Sequence, residues 1–96
     1  MPKMFFLNLP VEDVARARRF HETMGATADA RFCDDRTAAM VYSDTVVVML
    51  LDRSRFADFT SKEIIDAKSR VQGWFCFSAE SRAEVDERVG RAEAVG

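Results

Sequence analysis

His21 is the only histidine in the chain, and imidazole is the side chain whose ordinary pKa suits general-base work near neutrality. A lone histidine also removes any site built from several imidazoles. His21 recurs with Val14, Ala17 and Met24 at helical spacing, with Phe20 beside it, so its position reads as a partly buried packing residue rather than a base. Asp34 with Asp35, and Asp44, are the nearest approach to paired carboxylates for acid–base chemistry. They fall in Asp34-Asp35-Arg36 and Ser43-Asp44-Thr45, turn-like stretches where aspartate is favoured because its carboxylate bonds the neighbouring backbone. Cys33 and Cys76 are far apart and match no metal or redox spacing. Nothing basic adjoins Cys76 in the sequence to activate it, so it reads as a buried, inert thiol. Arg16, Arg18 and Arg19 form the one basic cluster, and acids elsewhere balance it, as on a solvated helix face. Neither a glycine-rich phosphate loop nor a serine-elbow motif occurs, so neither chemistry is supported.

The elements that would position these residues belong to one small domain of 96 residues, 48% apolar and 31% charged. A chain of this size can bury roughly 60–70% of its unfolded surface, enough for a core with little to spare. Fourteen Lys and Arg against sixteen Asp and Glu give a net charge of −2, which excludes a basic nucleic-acid footprint. The longest apolar run, Val46 to Leu51, is far too short to span a membrane. Met1-Pro2-Lys3 leads into strand-like sequence without a signal-peptide layout, and the unspaced cysteines suit a reducing, cytoplasmic setting.

Met4–Leu9 reads as a strand closed by Pro10, and Asp13 as the N-cap of a helix that ends at Gly25. Residues 27–33 and 37–43 change to a period of two and predict short strands, and Val46–Leu51 predicts a third. Residues 1–52 thus predict a first βαβββ module. Residues 53–70 are a polar connection in which Thr60-Ser61-Lys62-Glu63 resembles a capping box opening a short helix through Ile64 and Ile65. The opening pattern then returns over residues 71–96. Val71–Ser78 predicts a strand, and Ser81-Arg82-Ala83-Glu84 a capping box. Val85, Val89, Ala92 and Val95 predict the buried stripe of a second helix, with Glu84/Arg88 and Glu87/Arg91 paired outside. The caps Asp13 and Ser81 lie 68 residues apart, as do Phe6 and Trp74, so the chain reads as an internal repeat whose second unit stops after its helix. The expectation is a fragment of a longer chain, or cover supplied by another chain.

Two such units, with Asn8-Leu9-Pro10-Val11-Glu12-Asp13-Val14 running into Phe20-His21-Glu22-Thr23-Met24-Gly25, resemble the glyoxalase/bleomycin-resistance/extradiol-dioxygenase superfamily, also called vicinal oxygen chelate. Val11, Asp13, Phe20 and Gly25 fit its strand, V-x-D and F-Y-x-x-x-G pattern, and His21 stands where tyrosine is usual. The chain is most similar to members described as predicted lactoylglutathione lyases. The resemblance implies an α+β fold of paired βαβββ modules whose sheet cups a small-molecule site. In metal-dependent members, four His, Glu or Gln side chains from the first and last strands of each unit enter the cup. The matching positions here are Phe6, Met49 and Trp74, with the fourth past Gly96. These side chains cannot hold a divalent cation.

Alternation puts Met4, Phe6 and Asn8 on one face of the first strand, joined by Met49 with Val47 or Leu51. The corresponding face of the 71–78 strand carries Trp74, Cys76 and Ser78. The expected ligand-binding set is therefore Phe6, Asn8, Met49, Trp74, Cys76 and Ser78: soft and aromatic, with few polar handles, and without metal or cofactor. The expected function is binding of a small apolar or aromatic molecule, or a catalytically silent relative of the enzymes. A metal-dependent lyase or dioxygenase drawing ligands from beyond residue 96 or from a partner is one alternative, and a structural dimerisation module is another. The expected partner is a second copy in a homodimer, with neither nucleic acid nor membrane.

Overall fold

The structure is a computed structural model describing residues 3–95, with side chains through residue 94. The first module forms one four-stranded sheet. In chain order it runs β1 (Phe5–Val11), α1 (Val14–Thr23), β2 (Thr27–Ala28), β3 (Thr37–Val41) and β4 (Val46–Asp52). The strands lie side by side as β1-β4-β3-β2, with β1 parallel to β4 and the other neighbours antiparallel. This is the βαβββ arrangement expected from the hydrophobic pattern: the helix returns the chain so that the last strand of the module can lie beside the first.

The strand ladder gives the sheet two distinct faces. Leu7, Leu9, Val48, Leu50, Ala38 and Met40 share one face by register, and α1 covers it. Met40, Leu50 and Val48 are the largest fully buried side chains, with Val14 entering from α1 and Ala26 from the turn after it. Phe6, Asn8, Val47, Met49, Ala39 and Val41 occupy the other face.

Pro10 does not close the first strand, which continues through it to Val11. The Phe5 amide bonds the Thr45 carbonyl, so Phe5, Leu7 and Leu9 direct their backbone groups at β4. Pro10, of opposite parity, turns its missing N–H towards the open side of an edge strand, the one place within a sheet where proline removes nothing.

The Asp13 carboxylate accepts from the Arg16 amide at 3.0 Å and starts α1. The helix stops because Gly25 takes φ 105°, which lets the Ala26 amide bond the His21 carbonyl and the Gly25 amide bond the Glu22 carbonyl. That pair of bonds is the Schellman ending, and it requires the left-handed conformation glycine adopts freely.

Beyond α1 the structure departs from the sequence expectations in three segments. The strand predicted over 27–33 shrinks to Thr27–Ala28, because Asp29 caps a single 3-10 turn over Ala30–Phe32. The short helix of the connection is α2 (Arg53–Ala57), not one opened at Thr60. Asp52 is its cap, accepting from the Arg55 amide at 2.7 Å, whereas the Thr60 hydroxyl only closes a turn onto the Lys62 amide. Val71–Ser78 joins no ladder among the described residues, since no neighbouring strand offers it backbone partners, and its side chains are exposed.

The second helix, α3 (Arg82–Val95), forms as predicted. The Ser81 hydroxyl accepts from the Glu84 amide at 3.1 Å, while the Glu84 carboxylate accepts from the Glu80 amide, a capping box displaced by one residue. Glu84 pairs with Arg88, and Glu87 with Arg91. Its stripe is less covered than the spacing suggests: Val85 and Val89 stay 47% and 52% exposed, Ala92 is half-buried, and the Val95 side chain lies outside the described residues. No helix among the described residues is long and apolar enough to cross a membrane.

Candidate functional site

The sheet face opposite α1 carries a hollow of about 680 Å³. Met4, Phe6 and Asn8 from β1 and its approach, Val47 and Met49 from β4, and Ala39 and Val41 from β3 line it. The β1–β4 register places Phe6 beside Val47 and Asn8 beside Met49, and antiparallel pairing sets Ala39 against Met49. Those alignments follow directly from the alternation of a pleated strand. The site residues Phe6, Asn8 and Met49, read from spacing, are therefore brought together on one surface. Leu51 does not line this hollow, and Val47 does.

At its rim stand Asp29, Arg31 and Phe32 from the 3-10 turn, with Ser43 and Asp44 from the β3–β4 turn. Arg31 reaches back onto Asp29 through Nε and Nη2, at 3.0 and 2.8 Å. These bonds hold the Asp29 carboxyl below the usual carboxylate range. Asp29 is thus an ionised, engaged carboxylate and not a poised proton acceptor. Asp34 accepts from the Arg36 amide at 2.8 Å, and the Ser43 hydroxyl accepts from the Thr45 and Val46 amides. Both stretches are the turns that their composition predicts.

Trp74, Cys76 and Ser78 do not join the hollow. Trp74 is 88% exposed, Cys76 is exposed, and Ser78 lies on the opposite side of the sheet. The physical reason is the missing ladder: strand alternation places residues on defined faces only where pairing holds the pleat flat. Phe75 and Phe77, of opposite parity to Trp74 and Cys76, lie on the α1 side, and Ser78 joins them there against the alternation.

The donor set at the cup face does not fit the divalent ion that the sequence resemblance implies for metal-dependent members of that superfamily. Phe6 and Met49 occupy two of the expected ligand positions, and the exposed Trp74 occupies a third. Among the described residues, no three His, Cys, Asp or Glu side chains gather closely enough to hold a metal. A hard cation needs several oxygen or nitrogen donors converging at about 2.0–2.6 Å.

A second cavity of about 710 Å³ lies on the α1 side, between the sheet, α1 and α3. Here the sequence reading missed a residue. The Tyr42 hydroxyl lies 2.5 Å from His21 Nδ1, and the Tyr42 ring stacks on Phe77 at 4.4 Å between centroids. Burial pushes the His21 pKa below its ordinary value and the Tyr42 pKa above its own, Arg88 opposing the latter shift in part. Parity held the signal: Ala38 and Met40 face α1, so Tyr42, two residues on, belongs on the same side as the inward stripe of the helix.

No protein-family model matches the chain, and no curated protein matches it. Solved structures do. A hypothetical protein from S. aureus superposes with a TM-score of 0.79 at 16% identity, over 100% of this chain and 72% of its own. A possible glyoxalase from Bacillus cereus superposes with a TM-score of 0.68 at 26% identity, over 100% of this chain and 76% of its own. With its β1-β4-β3-β2 sheet covered on one face by α1 and hollowed on the other, the chain has a glyoxalase-like α+β fold.

Proposed function

We propose that this chain belongs to the glyoxalase/bleomycin-resistance/extradiol-dioxygenase superfamily and binds a small apolar or aromatic molecule on the open face of its sheet, without a metal. The observation that carries the reading is the placement of Met4, Phe6, Val47 and Met49 around one hollow of about 680 Å³, with Asn8 as the polar handle. Concave sites of this kind gain affinity from apolar walls and orientation from a few polar groups. Methionine adds an adaptable, polarisable surface that makes favourable contacts with aromatic rings. Metal-dependent lyase or dioxygenase chemistry is disfavoured by Phe6 and Met49 at positions where ligands are needed, since neither offers a lone pair suited to a hard cation.

Calorimetric titration tests both halves of the reading. Mn²⁺, Ni²⁺ and Zn²⁺ at equimolar concentration should give no saturable heat. A panel of small aromatic molecules should yield at least one saturable ligand, with affinity unchanged by a chelator. Stoichiometric uptake of any of the three metals, or ligand binding that chelation abolishes, would overturn the reading.

A further inference from the structure

Residues 75–92 approach the first module over the α1-side cavity, and they do so through few contacts. Phe77 stacks on Tyr42, and Arg91 reaches the Thr23 carbonyl at 3.4 Å. Within this segment the parts are tied to one another. Arg88 donates to the Ser78 carbonyl at 2.9 Å and pairs with Glu84, so the approach to the helix and the helix itself move as one piece. On the module side, Tyr42 is held by His21. We infer that the Tyr42–Phe77 stack, set in place by the His21–Tyr42 hydrogen bond, is a latch that closes residues 75–92 over the α1-side cavity and opens on mild acidification.

The direction follows from what faces His21 in the closed state. Tyr42 adjoins it from the end of β3, and Leu7, Leu9, Val46 and Val48 from β1 and β4 bring no charge to the cavity. From α3 come Arg88 and Glu93. Arg88 is a cation already engaged by Glu84, and Glu93 is exposed to solvent. On its own helix, Glu22 pairs with Arg18 at the surface, and the groove that His21 also borders is lined by Asp13, Arg16, Arg19 and the Glu12–Lys68 ion pair. Burial beneath this cover lowers the His21 pKa. A protonated Nδ1 can only donate, and the Tyr42 hydroxyl then accepts by turning its own proton away, so the cost of a proton in the closed state is the desolvation of the imidazolium rather than loss of the bond. Opening returns His21 to water and to its ordinary pKa near 6.5.

The linkage is therefore signed. The open state binds the proton more readily, so closure is strongest above about pH 6.5 and weakens as pH falls from there through the depressed closed-state value. Across that window the opening constant rises by up to about tenfold per pH unit, the limit for a single proton. An isolated 14-residue helix is marginal in water, so amide protection in α3 reports its closure directly.

Hydrogen exchange on the full chain, corrected for the intrinsic pH dependence of amide exchange, tests the latch against β3 and β4 as internal reference. Protection in α3 should fall between pH 7.5 and 5 while the sheet stays protected. His21→Gln, which reaches the tyrosine hydroxyl without titrating, should flatten that dependence. Phe77→Ala, a change at a half-exposed ring, should free α3 at every pH and leave the sheet intact. An α3 protection that ignores pH in the unaltered chain, or that survives Phe77→Ala, or a pH dependence unchanged by His21→Gln, would each overturn the latch.

Discussion

Leu50→Ala should lower stability by about 2–5 kcal/mol, a large part of the roughly 5–15 kcal/mol that holds a domain of this size together. Leu50 is fully enclosed on the α1 side of β4, among Val14, Ala26, Ala38, Met40 and Val48. Most of the neighbours are strand residues locked into the ladder, so the space left by the missing methyls cannot collapse easily. In a 96-residue chain, each kcal/mol corresponds to about 4–8 °C in melting temperature, so the variant should melt at least ~8 °C below the unaltered protein. Thermal denaturation followed by far-ultraviolet circular dichroism measures the shift. Phe6→Ala on the opposite face is the contrast: Phe6 is 54% exposed, and the change should move the midpoint by only a few degrees. Equal losses in the two variants would show that the sheet is not buried on the side described.

Met49→Lys should weaken binding of a cup-face ligand by about 10–100-fold while leaving the fold standing. Met49 is partly exposed in the centre of the hollow, flanked in the ladder by Asn8 and Ala39. Its contact with an apolar ligand is worth about 1.5–3 kcal/mol if fully made, and each 1.4 kcal/mol is a factor of ten in affinity. The ammonium can extend to solvent along its own stem, so the sheet need not bury a charge. Its hydration would nonetheless oppose an aromatic ring entering the same space. Titration of the variant with any ligand saturating the parent protein measures the loss. An unchanged affinity would place the ligand elsewhere.

The first module was legible because its signals are local. Asp13, the stripe from Val14 to Met24 and Gly25 each act within a turn of their own position, and all three act as their types predict. The half of the candidate site on β1 and β4 was legible for the same reason: parity alone assigns Phe6, Asn8 and Met49 to one face once those segments are strands. The fate of Val71–Ser78 was not legible. Its composition is as strand-like as that of β1, but a strand exists only where another backbone accepts its hydrogen bonds, and sequence composition does not say where that neighbour is. Trp74, Cys76 and Ser78 failed as cup residues for that reason. The helix at Asp52 was missed because a single capping aspartate directly after β4 is a weaker pattern than Thr60-Ser61-Lys62-Glu63, yet Asp52 also gains bonds from the Ser54 hydroxyl and from Arg36. Its carboxyl is accordingly held below the usual range, chiefly by the Arg55 amide.

If the open sheet face takes the ligand, the methionine methyl groups of the protein report on it separately from the other surfaces. Met4 and Met49 line the cup-face hollow, Met24 lines the α1-side cavity, and Met40 lies in the core. In a ¹³C-methyl-methionine spectrum titrated with a small aromatic ligand, the Met49 and Met4 signals should shift and saturate together while Met24 and Met40 stay in place. Saturable movement of Met24 with Met49 and Met4 unmoved would contradict the account.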